Sequence, residues 1–458
     1  MNGKLRLRFE WPGLAAEALA DVLGNSDGIS ESDDGLYWTL VLGVEDSVLE
    51  VPARQAELPL ACGTDAIYLR ELTDLRHLVA LPPNGGVQNL LRAPDACAVL
   101  AVLDARLARF RERLAREGRV YVFAAHRNAV KCVRYCQQLG IELVAFVDND
   151  TAKQGSEFYG RPVLPLAAVP RDAVIINASG RYCVQINEQL RQQRYPWGID
   201  LMEFLFLYDL PFQAEDRFRA YVSEIVEHRL GVVSLYILLA DERSRVVLDG
   251  LTLFRLSLDS SIAGRQASPY AQEFFAEDVL HFGPNEVFVD GGAFDGDSFR
   301  RFVAMAPGFR KAYLFEPDGE ICRRAEKTLG SDPRVAICNY GLWSSMRELR
   351  FSSTGGMDGA ICEEGEIRVP VVSIDDFISD TVTHIKLDVE GAEEEALRGA
   401  SRTIGGSRPR MAIALYHRAA DLWCLPAQIE ALGGRYAYSI RHYSQTVDDT
   451  IVYALPIS

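Results

Sequence analysis

Regularly spaced cysteines are missing: nine Cys in 458 residues stand without a CxxC pair. That excludes a small scaffold stapled by disulfides. Cys322, Cys338 and Cys424 lie in apolar patterns, which suits reduced, buried thiols in a cytosolic protein. Surplus positive charge is missing as well. Against 64 acidic residues stand 48 basic ones, a formal net charge of −16, which opposes binding to nucleic acid or an anionic membrane through general electrostatics. No stretch reaches the roughly 18 uninterrupted apolar residues of a membrane span. The opening Met1-Asn2-Gly3-Lys4-Leu5-Arg6-Leu7-Arg8 alternates charge with leucine and offers no apolar core for a signal peptide. The expectation is a cytoplasmic protein, not inserted in a membrane, that works on a small molecule.

Apolar residues make up 48% of the chain, ample for packing, and a prior of about 150 residues per domain gives about three units. Residues 1–90 read as a small α+β accessory unit. Leu5, Leu7 and Phe9 alternate like a strand, residues 12–23 suit a helix, and 36–44 and 48–51 look extended. No chemistry shows there, so a protein partner or a second copy of the chain is its expected contact. Residues 91–117 form a linking helix that Gly118 ends. Residues 118–212 begin as a βαβ unit: strand Val120-Tyr121-Val122-Phe123, a helix to Leu139, and a strand ending at Asp148. Asp148 stands about where an acid reads a ribose in dinucleotide folds. Yet the turn Ala124-Ala125-His126-Arg127-Asn128-Ala129 has replaced all three glycines of the fingerprint, and side chains obstruct the approach of a pyrophosphate. A later strand ends in Ala178-Ser179-Gly180, so a ligand crevice and a purely structural role both stay open. Residues 119–180 resemble the Rossmann-like domain of nucleotide-sugar-modifying acyltransferases and sugar methyltransferases. Residues 213–284 are a helical lead-in, whose Tyr270, Phe274 and Phe275 could close over a later site.

The most informative stretch is Val287-Phe288-Val289-Asp290-Gly291-Gly292-Ala293-Phe294-Asp295-Gly296-Asp297-Ser298. Its apolar run is what a strand covered on both faces needs, and its glycines allow a sharp turn into a helix whose free N-H groups face a crevice. Strand 311–315 then ends in Glu316-Pro317, 26 positions after Asp290, and a carboxylate there can accept both hydroxyls of a ribose. Asn339, Gly341 and Leu342 follow the next strand, where they would line an adenine pocket. Phosphate-binding features are poor: no Walker lysine follows the turn, and Asp290, Asp295, Asp297 and Glu316 would repel a pyrophosphate. A cationic nucleoside fits better, and S-adenosylmethionine is one. Its sulfonium and amino groups would meet Asp290 and Asp295, its carboxylate the helix start at Ser298, and its ribose Glu316.

Asp290-Gly291-Gly292-Ala293, Phe315-Glu316-Pro317, Ser373-Ile374-Asp375-Asp376-Phe377, Ile385-Lys386-Leu387-Asp388-Val389-Glu390-Gly391-Ala392-Glu393 and Tyr416-His417 together resemble the FkbM family of S-adenosylmethionine-dependent methyltransferases across residues 285–458. The resemblance implies an α/β architecture with a doubly wound class I methyltransferase sheet at the C-terminus, and O-methylation of a sugar, glycan or related hydroxyl. Many members carry Asn where Phe294 stands. For the acceptor, Asp388 falls at a strand end, Glu390 is expected on the first turn of the next helix, and His417 could act as general base. Glu394 and Glu395 complement the helix dipole. Asp388, Glu390 and His417 could hold magnesium, but no spacing demands it, so no metal is expected. Arg441-His442-Tyr443-Ser444 is read as capping the last hairpin. Two alternatives stand beside this reading: an NAD-dependent sugar-nucleotide oxidoreductase working through residues 118–212, and a non-catalytic scaffold binding glycan or protein.

Overall fold

The computed structural model describes the strands between residues 4 and 69, and residues 74–457 apart from 83, 213–215, 330, 353–359, 362–366 and 434. The first sheet holds β1 (Lys4–Glu10), β2 (Ile29–Glu31), β3 (Tyr37–Leu42), β4 (Val48–Gln55) and β5 (Ile67–Leu69) in the order β2-β3-β1-β4-β5. The helix expected at 12–23 lies outside the described residues. The linking helix runs Ala96–Glu117. Asp95 caps its start by accepting the Ala98 N-H at 2.8 Å, and Gly118 closes it in the left-handed region at φ 64°. Its buried stripe of Leu103, Leu107, Phe110 and Leu114 packs into the core of the second sheet.

That second sheet consists of β6 (Arg119–Phe123), β7 (Glu142–Val147), β8 (Glu157–Phe158), β9 (Arg161–Leu164), β10 (Ile175–Asn177) and β11 (Gly198–Asp200), in the order β11-β10-β6-β7-β9-β8. Every pairing is parallel except the β8–β9 hairpin. The chain reverses its direction of travel between β6 and β10, and such a switch point opens a crevice beyond the strand ends.

The third sheet carries β12 (Val287–Gly291), β13 (Lys311–Phe315) and β14 (Val335–Cys338). A small four-stranded sheet interrupts the sequence there: β15 (Gly341–Leu342), β16 (Arg347–Ser352), β17 (Ala360–Ile361) and β18 (Ile367–Val372). The third sheet resumes with β19 (His384–Leu387), β20 (Arg410–Ala414), β21 (Tyr436–His442) and β22 (Thr450–Pro456), in the order β14-β13-β12-β19-β20-β22-β21. Strand β22 runs antiparallel between β20 and β21. The sequence of β12 explains its central place. Val287 and Val289 enter the core on one face with Ile385, Leu387, Met411 and Ile413, while Phe288 enters the opposite core with Phe302, Leu314 and Ala412. His384 stacks on Phe288 in this second core, where burial pushes its pKa down to about 3. It is a neutral packing residue.

Of the cysteines, Cys132, Cys136, Cys183, Cys322 and Cys338 are buried free thiols and Cys97 is an exposed one, whereas Cys424 is disulfide-bonded, which corrects the reduced thiol expected there. No helix among the described residues is long and apolar enough to cross a membrane.

Candidate active site

A cavity of about 560 Å³ opens at the carboxyl ends of β12 and β19, where the order of the third sheet reverses. Gly292 makes the geometry possible. At φ 73° it occupies backbone that side chains resist, and a Cβ there would stand 1.8 Å from the Asp388 carbonyl oxygen. The two strand-end loops therefore lie against each other with no room for a larger residue. Phe294 at φ 46° and Glu390 at φ 54° hold the same left-handed backbone without being glycine, so each loop stores strain beside the cavity.

Beneath the turn sits Lys386, 2% exposed, paired in register with Asp290 across β12 and β19. Its Nζ donates to the Gly291 and Gly292 carbonyls at 3.1 and 2.7 Å and stands 3.1 Å from Asp290 Oδ1. Burial opposes its charge, but Asp290 and Asp388 more than restore it and raise its pKa. Asp290, fully buried, also accepts the Ser298 hydroxyl at 2.5 Å. This corrects the expected role of Asp290: its charge is matched inside the protein, and it shapes the turn instead of facing a ligand cation. Asp295 is also displaced from that role, because Arg300 binds its carboxylate at 3.1 Å. The signal for Lys386 in the sequence is one lysine inside an apolar strand, which calls for an acid opposite it.

Of the residues expected to hold a cofactor, Gly292, Ser298, Glu316, Pro317, Gly341 and Leu342 line the cavity, while Asp290, Gly291, Ala293, Asp295 and Asn339 do not. Gly291 is enclosed by Leu342 and Leu387, and Ala293 is buried beside Phe299 in the core. Asn339 acts from behind the wall. Its amide donates to the Glu316 and Pro317 carbonyls at 2.9 and 3.0 Å, fixing the loop after β13. Glu316 accepts the backbone N-H groups of Phe294 at 3.1 Å and Asp318 at 2.9 Å. Burial pushes its pKa up against those bonds. A carboxylate has about four lone-pair positions, so two acceptor positions remain for a diol. Phe315, Ile321, Leu342 and Val389 supply apolar wall next to it.

On the other side stand Asp388, Glu390, Tyr416 and Glu273. Tyr416 donates its hydroxyl to Asp388 Oδ1 at 2.9 Å. Glu390 lies before the helix Glu393–Arg398 and not on its first turn. The left-handed backbone at Glu390 and Gly391 delays helix entry, which corrects the expected start. Glu394 and Glu395, in the first turn of that helix, pair with Arg398 on its surface.

His417 is 1% exposed and does not line the cavity. Its Nδ1 lies 2.9 Å from Glu393, and its Nε2 lies 3.4 Å from Asp388 and 3.5 Å from Glu390. Burial opposes the imidazolium, but Glu393, Glu390 and Asp388 raise its pKa to about 10. A histidine already protonated at neutral pH cannot accept a proton, so the base role expected of His417 gives way to a structural cation clamping three acids. Glu393, His417 and Asp421 have the spacing to hold a metal ion. Their atoms are already engaged: Glu393 accepts the Val389 and Gly391 N-H groups, and Asp421 accepts that of Arg418.

Glu273 was passed over among the lead-in aromatics. It is 7% exposed and lines the cavity; burial, with Asp388 next, pushes its pKa up to about 7. Tyr270 and Phe274 line the cavity beside it, while Phe275 packs against Phe288. The second sheet contributes the rest of the wall through His126, Lys131, Ser179, Gly180, Arg181 and Tyr182. Asp148 does not line this cavity but a neighbouring one, where its oxygens accept the Ala125 and Asp150 N-H groups and bind Lys153 at 3.0 Å. His442 and Tyr443 are buried, bonded to Thr450 and Tyr453, and serve the last hairpin.

Residues 290–440 match the family model of the methyltransferase FkbM domain. The FkbM match begins at the acid that Lys386 neutralises and takes in Glu316, Asp388 and His417. A crystal structure of methyltransferase FkbM from Methylobacillus flagellatus superposes with a TM-score of 0.60 at 23% identity, covering 79% of this chain and all of that one. A SAM-dependent methyltransferase from Aquifex aeolicus gives a TM-score of 0.25 at 16% identity, covering 43% of this chain and 99% of that one. No curated protein matches the chain. The third sheet thus has a methyltransferase fold, and Glu273, which precedes the FkbM match, belongs to the part of the site that the lead-in adds.

Proposed function

We propose that the chain is a methyltransferase that uses S-adenosylmethionine to methylate a hydroxyl of a sugar, glycan or related small acceptor. The observation that carries this reading is one cavity bounded by Glu316 on one side and by Asp388, Tyr416 and Glu273 on the other. Glu316 would accept the ribose hydroxyls, Phe315, Ile321, Leu342 and Val389 would enclose the adenine, and Asp297 and Asp388 are the acids nearest the turn for a sulfonium. The bound cofactor supplies an activated methyl group with a good leaving group. The protein's task is then to place the acceptor oxygen in line and exclude water, and a positioned base adds about a hundredfold or more. Glu273 takes the hydroxyl proton, its pKa close to neutral because burial and Asp388 disfavour its charge. Asp388, fixed by Tyr416, orients the acceptor. His417 is a positioning residue that keeps Asp388 and Glu390 from repelling each other. Calorimetric titration with S-adenosylmethionine tests the core of the proposal: binding is expected, with at least tenfold loss in Glu316→Ala. No binding, or an unchanged affinity in the variant, refutes it.

A further inference from the structure

A second cavity of about 390 Å³ lies at the carboxyl end of the second sheet, next to the switch point between β6 and β10. It shares His126, Ser179 and Tyr182 with the larger cavity, so the two spaces adjoin through one wall. Its floor is apolar, from Phe123, Ala124 and Ile186, and the Tyr182 ring, 64% exposed, stands at its mouth. At its rim Asn149 and Gln189 bond each other reciprocally at 2.8 and 3.1 Å. Each amide keeps one N-H and one lone pair for another partner. Asp148, Asp150, Lys153 and Gln185 complete the lining, and an apolar floor with an aromatic ring at the mouth and two amide edges has the chemistry to take a nucleobase.

Two cations of the large cavity stand close to the shared residues: Arg181 is next in sequence to Tyr182, and Lys131 is on the helix that follows His126. Lys131 donates to the Phe212 carbonyl at 3.0 Å, and Arg181 lies 3.5 Å over the Tyr270 ring. Among the described residues neither enters an ion pair, so both cations remain available to an anion. Asp148 repels little because Lys153 and two backbone N-H groups match it. Elsewhere in the large cavity Asp388 and Glu390 disfavour a phosphate, and Asp449, whose charge acts on the Tyr270 that Arg181 covers, is an acid close to the cations. We propose that the second cavity binds the nucleoside diphosphate handle of the acceptor: the base lies between Tyr182 and the Asn149–Gln189 pair, and the phosphates lie at Lys131 and Arg181. The handle directs its hydroxyl-bearing end to Glu273 and Asp388. That last placement rests on the methyltransferase reading, whereas the nucleotide site does not.

Calorimetry on the full chain with UDP, CDP, ADP, GDP and NAD tests the site. At least one diphosphate should bind, and Asn149→Ala or Gln189→Ala, both lining the second cavity and not the first, should weaken it tenfold or more with S-adenosylmethionine affinity unchanged. Glu316→Ala should leave nucleotide binding intact. Failure of every diphosphate to bind, indifference to both cavity variants, loss in Glu316→Ala, or tighter binding of NAD would each overturn the proposal. Nucleotide binding without S-adenosylmethionine binding would support this site and refute the methyltransferase reading.

Discussion

An ordinary imidazole loses its proton near pH 6.5, whereas His417 is held protonated up to about 10 by the acids around it. Because the folded value is raised, the stabilisation is complete below pH 6.5 and disappears as the pH climbs through 10. Between those limits each pH unit removes about 1.4 kcal/mol. From pH 7 to 8.5 the clamp should therefore weaken by about 2 kcal/mol, a fall in Tm of about 4–8 °C for a domain of this size. Thiols of the unfolded chain ionise about a midpoint near pH 8.5, so the buried cysteines add slope in the upper part of this window, and the share of His417 is the difference in slope between the wild type and His417→Gln. Asp421, pushed up to about 7 by burial and by Glu393, stands in the same cluster. A direct readout of the imidazole is therefore needed beside the melts. In a ¹³C-histidine-labelled protein, the resonance missing from His417→Gln should stay at its protonated position from pH 5 to 8.5, and the variant should melt with a shallower pH slope. If that resonance titrates near 6.5, His417 is no clamp and the base role returns to it.

Glu273→Gln should lower turnover about a hundredfold and abolish the rise in rate centred near pH 7, while S-adenosylmethionine affinity holds. A rate loss that keeps the same pH profile would remove Glu273 from proton transfer. Lys386→Met strands a buried carboxylate, and breaking such a pair costs about 3–5 kcal/mol. Thermal melts should show the loss, and the double variant with Asp290→Asn should recover part of it. Equal melts for the single and double variants would mean the two residues are not coupled.

Much of the third sheet was legible because strand-end chemistry is local. A Val-Phe-Val run followed by Asp-Gly-Gly, and Leu-Phe followed by Glu-Pro, announce a buried strand and a polar end in a few residues each. What stayed hidden was pairing across distance. Asp290 and Lys386 are 96 positions apart, and only the β12–β19 register shows that one acid is spent inside the protein. His417 looked like a base because it follows a strand, but its pKa is set by Glu393, Glu390 and Asp388 from another loop. Glu273 carries no motif at all, and its significance comes from where the lead-in lays it down. For Ala178-Ser179-Gly180 the sequence leaves a crevice and a structural role both open, and the fold lays Ser179 against both cavities and Gly180 against the larger one.

The loop between β21 and β22 holds the second sheet to the third: the Gln445 N-H donates to the Gly180 carbonyl at 2.9 Å, and its side-chain oxygen accepts the Val184 N-H at 2.8 Å. Gln445 therefore acts as a spacer that sets the gap between two strand edges without touching either cavity's chemistry. Lengthening or shortening residues 443–449 would change how far an anchored molecule reaches, and so which of its hydroxyls arrives, while leaving Glu316 and Asp388 as they are. On the proposed function, the reach of the acceptor would then be set by this loop and the ribose contact by Glu316, two separate parts of the chain, although Asp448 and Asp449 of the loop also line the large cavity.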